Sequence, residues 1–235
     1  MLQQLPLYLT VGFVLTTLLA IVMVILVIKT SSKPMSAGAV RALIVAIFIW
    51  LAAQAVLSIC GIYTDYPKST PPTIILCGVL PALIALVLIF NARKGKLFVD
   101  RTSMQMLAYL HVIRIPVELL LYGLFLNGVV PELMTFEGRN LDILAGLTAP
   151  LVGFFGISQN RMGKASLLIW NFVCLGLLLN IVVNAILSAP SPFQQFAFDQ
   201  PNVAILNFPF SWLPSFIVPL VLFAHFAAIR KLLNR

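Results

Sequence analysis

Charge is what this sequence has least of. Of its 235 residues only 9% are charged and 61% are hydrophobic, where a soluble domain carries about 25% charged residues. Histidine occurs twice and cysteine three times. Two histidines exclude a three-histidine zinc hydrolase site. No Lys or Arg precedes Lys29, so the basic n-region of a signal peptide is missing. No polar stretch is long enough for a separate soluble domain. The expectation is one all-α transmembrane domain over residues 1–235, with lipid as its main solvent.

What is there is a series of apolar runs. They fall at about 6–28, 39–62, 73–91, 103–127, 141–158, 166–188 and 211–229. Each is about 18–25 residues, long enough for a hydrocarbon layer of ~30 Å at 1.5 Å per residue. The first run is kept as a mature helix. The reading is a seven-transmembrane-helix bundle.

The net charge of +8 invites a nucleic-acid reading, which the placement of the basic residues rejects. Lys29, Lys33, Arg41, Arg93, Lys94, Lys96, Arg101, Arg161, Lys164, Arg230, Lys231 and Arg235 all fall on alternate connections or the C-terminal tail. Only Lys68 and Arg139 fall on the other connections. That split puts the N-terminus outside and the C-terminus in the cytoplasm. Asp65, Glu132, Glu137, Asp142 and Asp199 share the outer side, which is therefore acidic. The expected location is a cell membrane, read as a bacterial inner membrane from compactness and absent targeting signals.

The fourth run holds the polar chemistry. His111, Arg114 and Glu118 follow an i, i+3, i+7 spacing, and Tyr122 extends that face. The stripe lies mid-span, where a charge costs at least ~2.5 kcal/mol and must face the bundle interior or a wet cavity. One reading pairs Arg114 with Glu118, four residues apart, as structural glue. The other makes the stripe a ligand or ion pathway, with Gln54, Asn180 and Asn184 as partners from other helices. Pro116 frees the carbonyl of Val112 inside the stripe. Asn171 is read as packing, and His225 as an interfacial group near the inner end of the last helix.

The loop Glu132, Glu137, Arg139, Asp142 is the candidate outer mouth. Asp142 is expected in the first turn of the fifth helix, where the dipole favours an anion. Gly146, Ala149, Gly153 and Gly156 predict a close helix contact. Residues 189–210, with five phenylalanines and no Lys or Arg, predict an interfacial or covering segment. Cys60 and Cys77 lie near the outer boundary on consecutive helices, where a disulfide is conceivable.

Seven helices in this orientation resemble microbial rhodopsins in topology. A retinal Schiff base needs a lysine within the last helix, and Lys231 lies beyond that span, so no cofactor is expected. The order of spans also permits the 3 + 1 + 3 repeat of SWEET-like transporters, whose Pro-Gln pair is absent. Leu80-Pro81 and Val218-Pro219 are the best internal match. Gly156-Ile-Ser158 is too short a motif for a serine hydrolase, and the chain is not expected to be an enzyme. The expected partners are the lipid bilayer and a small-molecule or cation ligand. The leading function is a small-molecule or ion transporter or channel. The alternatives are a sensor or receptor for an outer ligand, and a structural or assembly protein.

Overall fold

The computed structural model describes residues 5–33, 35–64 and 69–234. Asp65, Lys68 and Arg235, used above in the charge count, lie outside the described residues. The fold is all-helical, and no strand occurs among the described residues. We number the helices α1 Leu7–Lys29, α2 Ala37–Ile59, α3 Ile75–Asn91, α4 Arg93–Arg101, α5 Met104–Leu126, α6 Ile143–Ser158, α7 Lys164–Ser188 and α8 Leu213–Leu233.

Each apolar run becomes a helix, with ends within a few residues of those expected. Five helices (α1, α2, α5, α7 and α8) are long and apolar enough to cross a membrane by length and composition. The joined pair α3 and α4 makes a sixth candidate, bent by 84°. α6 is a shorter apolar helix. Large apolar side chains point outward on these helices, among them Leu7, Ile49, Val56, Leu126 and Ile169. Long apolar helices with such a surface suit a membrane-embedded protein.

α4 was not anticipated. Arg93, Lys94, Lys96 and Arg101 read as a basic loop, yet Phe98 and Val99 pack the segment against the core. Val99 is fully buried. Its end is tied to the end of α1, where the Ser31 hydroxyl donates to the Arg101 carbonyl at 3.0 Å. Arg230 of α8 joins Asp100 in an exposed ion pair at 3.0 Å. The opposite end of the bundle gathers other connections. The Val203 and Ala204 amides donate to Val129, and Gln200 Nε2 donates to Phe125 and Val130. Residues 189–210 thus fold over this end, and Ser58 of α2 holds the Leu206 carbonyl at 3.0 Å.

Prolines shape three helices. Pro81 and Pro219 have no N–H for the carbonyls four residues back, those of Cys77 and Ser215. Side chains of α2 take both. Gln54 Nε2 donates to Cys77 at 3.0 Å, and Trp50 Nε1 donates to Ser215 at 3.0 Å. A five-residue π-helical segment precedes each proline-bearing α segment, at Ile75–Val79 and Leu213–Ile217. The sequence match between these two helices therefore has a structural counterpart, and one α2 face serves both. In α5, Pro116 follows a 3-10 turn at His111–Ile113, the tighter winding expected beside a proline.

The glycines of α6 do what their sizes predict. A Cβ on Gly146 would come within 2.8 Å of Ile115, and one on Gly153 would collide with the Tyr109 ring. α6 therefore lies directly against α5 and carries its N-terminal loop to the centre of the bundle.

Candidate functional site

The centre of the bundle holds a buried polar cluster built from α5, α7, α8 and the loop before α6. Arg114 is its hub and is only 2% exposed. Its Nη1 donates to Asp142 Oδ1 at 2.9 Å and to the Cys174 carbonyl at 3.2 Å. Its Nη2 lies 2.7 Å from His225 Nε2. Arginine has only donors and stays protonated, so Nε2 accepts and His225 carries its proton on Nδ1. That Nδ1–H then donates to Asn171 Oδ1 at 3.2 Å. The Asn171 amide in turn donates to the Leu167 carbonyl at 2.9 Å.

The Arg114–Glu118 pair of the structural reading does not form: the carboxylate that Arg114 pairs with is Asp142. Helical side chains lean toward the N-terminus. Arg114 therefore reaches back toward Cys174 and His225, away from Glu118. Glu118, 1% exposed, is held by another loop residue. Asn140 Nδ2 donates to Glu118 Oε2 at 2.6 Å and to the Met134 carbonyl at 3.0 Å.

Asn140 was missed in the sequence. Its own Oδ1 accepts the Asp142 amide at 3.0 Å, the Asx turn expected of Asn ahead of a helix. Asp142 stands at the N-cap position of α6 but makes no capping hydrogen bond with its side chain. The carboxylate turns inward to Arg114 instead, so a cap or outer-mouth role is replaced by a central one.

His225 also corrects the sequence reading. It is fully buried and stacks on His111 with ring centroids 4.1 Å apart. Trp170 stands edge-on to His111 at 5.5 Å and donates from Nε1 to Thr148 Oγ1 at 3.0 Å. Both nitrogens of His111 and the Nε of Arg114 are buried without a hydrogen-bond partner.

The other expected site residues lie elsewhere. Tyr122 is drawn to the loop, where its hydroxyl donates to Glu137 at 3.0 Å and its ring packs on Phe136 at 4.9 Å. Gln54 serves the Cys77 carbonyl and accepts from the Tyr63 hydroxyl at 2.5 Å. Burial pushes that hydroxyl's pKa above its ordinary value, which keeps it a donor. Asn180 is exposed and donates to the Arg139 carbonyl at 2.8 Å, and Asn184 donates to Asn180 at 3.3 Å. Glu132, Glu137 and Arg139 are exposed, with Arg139 over the Phe196 ring at 5.7 Å. Cys60, Cys77 and Cys174 are free thiols. No group of three or more His, Cys, Asp or Glu suited to a metal occurs among the described residues.

A cavity of about 310 Å³ meets this cluster. Ile75, Val79 and Leu83 of α3 and Leu178, Ile181 and Ala185 of α7 line its walls. Tyr63, Pro190 and Leu206 line it toward the end covered by residues 189–210. Arg114, Glu118 and Asp142 line it at the centre of the bundle. The charged groups are thus concentrated at one end of a largely apolar chamber, an arrangement typical of small-molecule sites.

The fold and cluster define a class: an all-helical apolar bundle with a buried charge network opening on an aliphatic cavity. Residues 71–233 match the model of a family described as a domain of unknown function, DUF8737, and the chain belongs to that family. The match covers α3 to α8 and every residue of the central cluster; α1 and α2 precede it. No curated protein and no solved structure matches the chain.

Proposed function

We propose that the chain is a seven-span membrane protein, N-terminus outside and C-terminus cytoplasmic, that binds and moves a small molecule through its central cavity. The observation that carries this reading is the chamber of about 310 Å³ reaching Arg114, Glu118 and Asp142. Buried charges inside an apolar bundle are expensive, and those at an accessible cavity mark substrate or ion pathways. The α7–α8 connection lies at the outer end in this orientation, so the chamber would fill from outside.

A structural role is the second reading. It draws on the Arg114–Asp142 pair, which neutralises the guanidinium without a ligand.

Cysteine accessibility tests the first reading. Cys60, Cys77 and Cys174 are replaced by serine, and a single cysteine is placed at Ile181 or Leu178. A membrane-impermeant methanethiosulfonate added outside intact cells is expected to label these positions and a control cysteine at Glu137. It should spare a cysteine at Lys164. Labelling at Glu137 with none at Ile181 or Leu178 would remove the cavity as a route, and labelling at Lys164 would overturn the orientation.

A further inference from the structure

The cavity's two ends differ sharply in chemistry. Its walls are Ile, Leu and Val from α3, α5, α7 and α8, with Met134 from the loop before α6. Its charged end presents two carboxylates, Glu118 and Asp142, and one guanidinium, Arg114. Arg114 and Asp142 answer each other at 2.9 Å, and the second Nη of Arg114 is spent on His225. Glu118 has no cation of its own; its hydrogen bond comes from the neutral amide of Asn140. Counted formally, with both carboxylates ionised and the histidines neutral, this end carries one negative unit, and Glu118 is the carboxylate without an ion-pair partner. An anion entering to use the unpartnered Arg114 Nε would have to face both carboxylates.

We propose that the cavity takes a small amphipathic cation: an aliphatic body with one amine or ammonium head seated at Glu118. The inference rests on the cavity being a binding site and adds the charge and shape of its occupant. The head supplies the missing positive charge, which a low-dielectric surrounding makes strongly attractive. The body replaces lipid or water against the α3 and α7 walls. A bare metal ion would leave those walls unfilled, and a neutral or anionic molecule of the same shape would leave Glu118 unanswered.

The test uses three probes of one shape: n-hexylammonium, n-hexanol and n-hexanoate. Equilibrium binding of radiolabelled n-hexylammonium to the detergent-purified full chain is measured, with the other two as competitors. The ammonium is expected to bind at least about tenfold more tightly than either competitor. Glu118→Gln should bring ammonium and alcohol within about twofold of each other. Ala185→Phe, which fills the cavity while leaving Glu118 in place, should abolish saturable binding of all three. Melting temperature and size-exclusion profile establish that each variant is folded. If Glu118→Gln does not fold, the Ala185→Phe result and the wild-type preference carry the test.

The failures are separable. Saturable binding without preference for the ammonium, or a preference that survives in folded Glu118→Gln, overturns the cation assignment and leaves the cavity as a site. No saturable binding of any probe, or binding that Ala185→Phe leaves intact, overturns the cavity reading itself and the cation with it.

Discussion

Arg114 and His225 meet at 2.7 Å, and that contact decides which nitrogen of the imidazole holds its proton. The guanidinium has only hydrogens to offer, so His225 Nε2 must be the bare nitrogen. In ¹⁵N-labelled protein, His225 is expected to show a protonated Nδ1 and an unprotonated Nε2. Arg114→Met should release this preference. An Nε2–H tautomer in the wild type would contradict the geometry.

Asp142, not Glu118, is the partner of Arg114. Breaking a buried pair from one side costs about 3–5 kcal/mol, because the other charge is stranded. Arg114→Met and Asp142→Asn should each lower the melting temperature in detergent strongly. The double variant should recover much of the loss. Arg114→Met with Glu118→Gln should show no such recovery; a rescue there would restore the pairing that the helix spacing suggested.

Trp50 answers the Ser215 carbonyl that Pro219 leaves without its helical donor. Trp50→Phe should therefore destabilise by about 1–3 kcal/mol, the cost of a buried unsatisfied group. In a Pro219→Ala background the alanine N–H can take that carbonyl. The same Trp50→Phe change should then cost less. Equal losses in both backgrounds would mean that the indole matters for packing alone.

Gly153 faces the Tyr109 ring without room for a Cβ, whereas Gly176 on α7 has open space. Gly153→Val should destabilise by about 1–3 kcal/mol through overpacking of α6 on α5. Gly176→Ala should be neutral or stabilising by up to about 1 kcal/mol. Thermal melts of the two variants check both, and a tolerated Gly153→Val would show that α6 can stand farther from α5.

Much of the helix plan was legible because it depends on local composition. A run of twenty apolar residues has few options besides a helix, so each apolar run is found as a helix whose ends lie within a few residues of it. The basic segment at residues 93–101 was misread because four basic residues and Asp100 masked the inward-packed Phe98 and Val99. The candidate site was half legible. Spacing on one helix brought out His111, Arg114 and Glu118. It could not find Asn140, Asn171 or His225, which lie 22 to 111 residues from their partners along the chain. Tyr122 shares the helical face by spacing, yet one further turn carries it to the loop and Glu137.

Composition was enough to say that this chain is helical and apolar. Those are properties of segments, and they hold wherever the segments end up. Which carboxylate meets Arg114 is a different kind of question. It depends on the glycines of α6 letting that helix lie against α5, and on the Asn140 turn aiming Asp142 inward. Packing brought a loop acid closer to the guanidinium than the acid one turn away on its own helix. It left Glu118 facing the cavity with an amide for company.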